Sequence, residues 1–320
     1  MKWTKLGRIF QPSEHVLPNG CSEFAQSPQA LVLNDRVRVY FSTRMREPGG
    51  KFLSHIGFVD FDKGMQNILK VSAEPVIKLG RLGCFDEHGI FPMNVVRHDD
   101  AVYGFTCGWS RRASVPVETS IGLALSHDAG LTFQKLGDGP ILTSSVCEPV
   151  LVGDPFVAIY GKTWHMWYIY GTKWIRSTPL EGSAARVYKI AHATSGDGVD
   201  WRRESRQLIK DELNSDECQA LPTVIEINNR YHMYFCYRQA TDFRNNKDRG
   251  YRIGYAFSDD LTTWTRDDGH AGISLSREGW DSDMQCYPHV FRCDGNVYLL
   301  YNGNEFGRFG FGLARLEGVK

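Results

Sequence analysis

Residues 216–237 read DECQALPTVIEINNRYHMYFCY. Asp216 and Glu217 precede Pro222, and an apolar run from Thr223 to Ile227 leads into the polar turn Asn228-Asn229-Arg230. A second run, Tyr231 to Tyr237, alternates aromatic and apolar residues before Arg238. Two such runs around an Asn-rich turn predict a β-hairpin with acids at its entrance and a base at its exit. The X-Pro opening of this hairpin returns at Ser27-Pro28, Phe91-Pro92, Asp154-Pro155, Leu221-Pro222 and Tyr287-Pro288, at intervals of 64, 63, 67 and 66 residues. A fixed period of that length is the mark of a repeat architecture.

Each unit reads as four strands. The first has Gln29–Leu33, Val37–Ser42, Ser54–Phe61 and a strand near Ala73–Lys78; the second has Met93–Arg97, Ala101–Cys107, Thr119–Ser126 and Thr132–Leu136. Between third and fourth strands a Ser-x-Asp turn followed by an aromatic recurs at Ser126-His127-Asp128, Ser195-Gly196-Asp197 and Ser258-Asp259-Asp260. Ser and Asp side chains bond the backbone of such a turn, which makes it a structural device. The fifth unit has three strands before the chain stops, and Trp3-Thr4-Lys5-Leu6-Gly7 matches the fourth strand Phe133-Gln134-Lys135-Leu136-Gly137. Pairing the first strand with the last blade removes an exposed sheet edge. The expected fold is an all-β, five-bladed β-propeller of four-stranded antiparallel blades. Residues 1–320 form a single domain in this reading, with the N-terminal strand closing the last blade.

Lys plus Arg and Asp plus Glu both number 37, so no global charge recruits nucleic acid or an anionic membrane. Met1-Lys2-Trp3-Thr4-Lys5 runs straight into strand-like sequence, and no apolar run has the length of a membrane span. The eight cysteines show no CxxC and no zinc-type spacing. Reduced, buried thiols in a cytoplasmic protein are the expectation.

In an antiparallel blade the start of the first strand and the end of the second share one face. The links between second and third strands are long, at 43–53, 108–118, 171–186, 238–250 and 302–308, and long loops on a rigid scaffold are where function is expected. Five residues before each Pro stand Glu23, Glu87, Val150, Glu217 and Asp283, with Asp86 and Asp216 one position earlier and Asp154 directly before its Pro. Carboxylates gathered at one mouth of the channel suit paired acid and base chemistry. The loops add Arg44, Arg46, Trp109, Arg111, Arg112, Lys173, Trp174, Arg176, Tyr237 and Arg238, where aromatics offer faces to sugar rings and guanidinium groups hold anions. His88 and His289 flank the channel and form only a weak metal signal, so no cofactor is assigned.

These residues resemble the five-bladed propeller glycoside hydrolases, the superfamily of arabinanases, β-xylosidases and invertases. Gly153-Asp154-Pro155-Phe156-Val157 with Trp164-His165-Met166-Trp167-Tyr168 looks like that superfamily's Asp-Pro strand and aromatic second strand. Glu217-Cys218 is similar to the Glu-Cys of the invertase group, where the Glu is the acid. The chain departs from the pattern in having its Asp-Pro in the third unit and Ser27 in the first. The resemblance implies a carbohydrate-active enzyme of this fold but does not carry catalytic roles over directly. The registered positions of the acids at the entrances of neighbouring first strands make Glu217 the expected general acid, with Asp154 or Asp283 as the opposing base or nucleophile. Glu23, Arg44, Asp86, Glu87, His88, Trp109, Arg111, Trp174, Tyr237 and Arg238 are the expected carbohydrate contacts, and the arginines point to an anionic substrate or co-substrate. A glycoside phosphorylase on the same scaffold and a noncatalytic glycan-binding propeller are the alternatives.

Overall fold

The computed structural model describes residues 1–176 and 183–318. Strand β1 (Trp3–Phe10) lies at the outside of the last blade, paired antiparallel with the final strand. The first blade follows with β2 (Gln26–Val32), β3 (Arg36–Arg46), β4 (Phe52–Asp62) and β5 (Ile68–Val71). The second has β6 (Gly89–His98), β7 (Ala101–Arg111), β8 (Val117–Ser126) and β9 (Gln134–Lys135). The third has β10 (Val152–Tyr160), β11 (Thr163–Ile175), β12 (Ala185–Ser195) and β13 (Arg202–Arg203). The fourth has β14 (Glu217–Ile227), β15 (Arg230–Gln239), β16 (Arg252–Ser258) and β17 (Thr265–Arg266). The fifth has β18 (Cys286–Cys293), β19 (Asn296–Asn302) and β20 (Phe311–Leu316).

The five inner strands close a ring: β2 touches β6, β6 touches β10, β10 touches β14, β14 touches β18, and β18 returns to β2. Aromatic and aliphatic side chains fill the wedges between blades, as where Phe10, Phe41 and Phe311 meet across the seam of the fifth and first blades. The Ser-x-Asp turns hold their own backbone as the sequence implied. Asp128 accepts from the N–H groups of Leu131 and Thr132, and Asp197 and Asp260 do the same one blade and two blades on. Backbone donors of this kind favour the carboxylate form and hold all three below the usual carboxylate range. One expectation is corrected. The outer strand of the first blade is Ile68–Val71 and not the stretch near 73–78, which bends away and keeps one bond to β4, from the Val76 N–H to the Ile56 carbonyl.

A second repeat was not visible in the sequence. In four blades a buried acid at or just before the start of the first strand is clamped by a cation from the outermost strand of the same blade. The pairs are Asp86 with Lys135, Glu148 with Arg203 (2.7 Å), Glu217 with Arg266 (2.5 Å) and Asp281 with Lys5 (2.7 Å). All four acids are essentially inaccessible to solvent. The last pair carries β1 onto the fifth blade, so chain closure uses the same clamp as the continuous blades. Removing one partner of a buried pair strands a charge. Lys5→Ala is expected to destabilise the fold by roughly 2–4 kcal/mol, below the usual range for buried pairs because Lys5 is partly exposed. Adding Asp281→Asn should recover part of that loss. Urea unfolding of the two single variants and the double variant measures the coupling, and strictly additive effects would remove the clamp from the closure.

Candidate functional site

The X-Pro steps shape the centre of the ring. At each of the five, the first strand loses register with its neighbour: between Gln26 and Gln29, Ile90 and Met93, Gly153 and Phe156, Ala220 and Thr223, and Cys286 and His289. Such bulges re-aim a side chain. Ser27, Asp154, Leu221 and Tyr287 adopt left-handed φ values of 53°, 50°, 47° and 58°, while the Phe91-Pro92 peptide is cis. Left-handed backbone is uncommon outside glycine and sits at sites that the surrounding structure holds in place. The rings of Phe91 and Tyr287 come within 5.3 Å although their blades are not adjacent, so these positions meet near the axis.

Above them lies a pocket of about 580 Å³. All five long loops reach it, contributing among others Phe52, Trp109, Arg186, Phe243 and Phe306; residues 177–182 of the third loop lie outside the described residues. Its cations are Arg44, Lys51, Arg111, Arg112, Arg186, Arg238 and Arg244. Asp154 is the one carboxylate among the described lining residues.

Asp154 is buried, and loss of water dominates its behaviour. Burial pushes the carboxyl up to about 7, against the opposing pull of the Arg186 guanidinium and the Leu221 N–H. At neutral pH this group therefore exchanges a proton readily, as a general acid must.

Lys51 has no ion pair among the described residues, and the six arginines fall into two kinds. Arg111 is bound by Glu47 (2.5 Å) and the Phe52 carbonyl, and Arg112 by Glu118 (2.9 Å). Arg44, Arg186, Arg238 and Arg244 take part in no ion pair among the described residues. Aromatic rings support them instead. Arg44 lies 4.4 Å from the Phe24 ring, and Arg238 and Arg244 share Phe243 at 3.5 and 4.4 Å. Arg238 is 5% exposed; it donates to Tyr188 Oη (2.8 Å) and to the carbonyls of Gln239 and Ala240, and its Nε has no partner. Desolvation pulls Arg44 and Arg244 below the ordinary guanidinium value, and the charge of Arg238 adds to the pull on Arg244. Arginines in this state remain charged and lack only a counter-ion.

Of the residues singled out in the sequence, Asp154, Arg44, Trp109, Arg111, Arg112 and Arg238 line this pocket. Glu217 does not. It is clamped by Arg266, accepts from the N–H groups of Glu212 and Leu213 and from Gln219, and has no solvent access. Asp86 is the equivalent clamp residue of the second blade. Asp283 lies outside the pocket, its N–H bonded to Asn304 and its carbonyl to Arg252. Glu23 is held by Arg308 (2.7 Å), and Glu87 accepts from the Gly83 N–H. His88 stacks behind Trp109 and accepts from the Arg111 N–H. Tyr237 stacks under Arg266 rather than lining the pocket, and Trp174 packs against the apolar core. Asp216 pairs with Lys173. The expected carboxylate pair is thus replaced by one carboxyl among arginines: Glu23, Asp86, Asp216 and Glu217 are engaged by cations, and Glu87 and Asp283 do not line the pocket. His289 lies between Phe156 and Phe291, where burial pushes it down to about 3; no three-residue group able to hold a metal occurs among the described residues. Sequence reasoning missed Arg186 and Arg244, although both stand in the loops it had marked.

Over 323 residues the chain is 35% identical to the uncharacterized protein Rv1502 of Mycobacterium tuberculosis (strain ATCC 25618 / H37Rv), with 99% of this chain and 100% of the relative covered. The chain belongs to the Rv1502 family. Identity and coverage are the same for the uncharacterized protein MT1551 of strain CDC 1551 / Oshkosh. No family model matches the chain. Among solved structures, a glycoside hydrolase superposes with a TM-score of 0.75 at 16% identity, over 97% of this chain and 90% of the other. A thermostable family-43 glycoside hydrolase gives 0.69 at 14% identity, over 95% and 94%. The β-1,2-mannobiose phosphorylase from Listeria innocua, in complex with β-1,2-mannobiose, gives 0.68 at 12% identity, over 98% and 96%. At these identities it is the fold that is common, and this Rv1502-family chain has the five-bladed propeller of glycoside hydrolases and glycoside phosphorylases.

Two measurements test the electrostatics. A carboxyl whose folded pKa is raised contributes stability that is full below its unfolded pKa, near 4, and is lost as pH rises through about 7. Asp154→Asn is therefore expected to flatten stability against pH and to raise it at pH 8 by roughly 2–4 kcal/mol, read from urea unfolding at pH 5 and pH 8. An unchanged slope would mean that Asp154 ionises as if in water. Glu217→Gln, which leaves Arg266 buried without its partner, is expected to lose roughly 3–5 kcal/mol of stability in the same assay at pH 7.

Proposed function

We propose that this chain cleaves a glycosidic bond by phosphorolysis, with Asp154 as general acid and inorganic phosphate as the nucleophile. The observation that carries this reading is the pairing of one proton-holding carboxyl with unpaired arginines across the ring. Hydrolysis by inversion would need a second carboxylate about 6.5–9.5 Å away to activate water. Phosphate is already a nucleophile, and what it needs from the protein is positive charge and position.

Asp154 stands on the third blade. The seam between the fifth and first blades is opposite it in a ring of five, and there Arg44 from the first blade and Arg244 from the fourth-blade loop feel each other's charge. Arg244 reaches that seam beside Phe306 of the fifth blade, 5.6 Å from its ring. A sugar placed between has the acid on one side of its anomeric carbon and the cation cradle on the other. Asp154 gives its proton to the departing glycosidic oxygen as the C–O bond breaks, and a phosphate oxygen forms the new bond from the opposite face. The proton of the attacking hydrogen phosphate then returns to Asp154. The products are a glycosyl phosphate of inverted configuration and a free alcohol. Aromatic walls from Trp109, Phe52 and Phe243 suit the apolar faces of sugar rings.

The test is cleavage of a panel of oligosaccharides that includes β-1,2-mannobiose, with and without phosphate, followed by ³¹P NMR. Glycosyl phosphate should form only when phosphate is present. Asp154→Asn should lower turnover about 10²–10⁴-fold, and Arg44→Ala and Arg244→Ala should raise KM for phosphate. Glu217→Gln should keep its turnover per folded molecule. Equal cleavage without phosphate would replace phosphorolysis by hydrolysis.

A further inference from the structure

We infer that Tyr287 holds the nucleophile in this reaction, its phenol donating a hydrogen bond to the attacking phosphate on the face of the sugar opposite Asp154. The inference rests on the phosphorolysis reading for the identity of the nucleophile. Tyr287 is built like Asp154. Each stands directly before the Pro of an innermost strand, with left-handed φ values of 58° and 50°. Each also lies within a bulge, between Cys286 and His289 in the fifth blade and between Gly153 and Phe156 in the third. Of the five X-Pro residues, Phe91, Asp154 and Tyr287 line the pocket, and only the last two carry polar groups. Their blades are two steps apart, the farthest that two blades can stand in a ring of five, so the side chains enter from opposed sides of the axis. The Tyr287 ring reaches far enough inward to meet Phe91 of the second blade at 5.3 Å. A single displacement needs this arrangement, with the acid at the departing oxygen and the nucleophile behind the anomeric carbon.

Hydrogen bonding separates Tyr287 from the other phenols of the pocket. Tyr188 and Tyr251 bond each other at 2.7 Å, and Tyr188 also accepts from Arg238 at 2.8 Å. Tyr287 Oη makes no hydrogen bond among the described residues, although the side chain is largely buried. A buried hydroxyl without a partner is uncommon in a folded protein, and here the pocket is where a partner can arrive. Burial pushes the phenol well above its ordinary value, so at neutral pH it keeps its proton and can donate it. Its neighbours carry the cradle. The Tyr251 ring lies 5.7 Å from that of Tyr287, 5.1 Å from the Arg238 guanidinium and 6.1 Å from Phe306, the ring beside Arg244. The division of roles follows from the groups themselves. Guanidinium groups supply the charge that phosphate needs, and the neutral O–H supplies direction, since a hydroxyl has a single proton to donate along one line.

Tyr287→Phe keeps the ring and its contacts with Phe91 and Tyr251 and removes the O–H alone. Titration calorimetry of the whole chain with inorganic phosphate is expected to show about 10- to 100-fold weaker binding in this variant, the worth of a hydrogen bond to a charged group. Thermal melting checks that the variant folds. A second measurement reads the wild-type phenol directly. In the chain labelled with 3-fluorotyrosine, the ¹⁹F resonance that is missing from Tyr287→Phe should shift as phosphate is added. Equal phosphate binding by wild type and Tyr287→Phe, or a Tyr287 resonance that stays still as phosphate saturates the chain, overturns the inference. The phosphorolysis reading then still stands, so long as Arg44→Ala weakens the binding. Phosphate that fails to bind the wild-type chain sinks that reading, and this inference with it.

Discussion

The geometry of this propeller depends on an ion pair repeated around the ring. In four blades a carboxylate at the foot of the innermost strand is gripped by a lysine or arginine of the outermost strand, as in Glu148 with Arg203 and Glu217 with Arg266. Such a pair spans the width of a blade. A buried ion pair adds little net stability over a well-packed apolar substitute, because both charges must be stripped of water. What it adds here is position. A slip in strand register would separate the partners and leave a bare charge inside. Tyr168 and Tyr301 on the second strands of the third and fifth blades bond the same acids, tying a third strand to the clamp. The first blade manages differently, with a bidentate Arg38–Asp60 pair between its middle strands.

This constraint explains the charge pattern at the centre. The acids that precede the first strands are largely absorbed by the scaffold or by neighbouring cations. What remains facing the pocket without an ion pair is one carboxyl, held by a bulge, Lys51, and four arginines resting on aromatic rings. A chain with no net charge thus builds a cationic cavity by segregating its charges. Positive groups without counter-ions inside a concave, partly apolar wall raise the local concentration of anions.

The blade plan was legible because its cues are local. X-Pro steps, alternating strands and Ser-x-Asp turns each lie within a few residues, and the matching N-terminal strand could be found by comparing short stretches. The role of Glu217 was not legible for the opposite reason. Glu217-Cys218 looks like an exposed acid before a strand, and only the approach of Arg266, far along the chain, shows it to be clamped. Asp154 lines the pocket, at the step before Pro155 that the sequence had marked, but its raised proton affinity depends on burial that no local pattern encodes. Arg186 and Arg244 could have been found. Phe243-Arg244 follows Arg238 within one loop, and an aromatic flanked by arginines in a loop of the functional face is a readable sign of guanidinium stacking.

The five bulges also have a consequence for how chain order relates to chemistry. Because Ser27, Phe91, Asp154, Leu221 and Tyr287 occupy rotationally equivalent places, the ring offers five addresses for a single acid. Rotating every blade assignment by two steps leaves the same cavity and changes only where the polypeptide is cut open. The displacement of the Asp-Pro step from the first unit to the third therefore carries no penalty in geometry, provided that the loops opposite rotate with it. A circularly permuted chain opened between the second and third blades would present Asp154 in its first blade, with Arg44 brought to the same seam from its fourth.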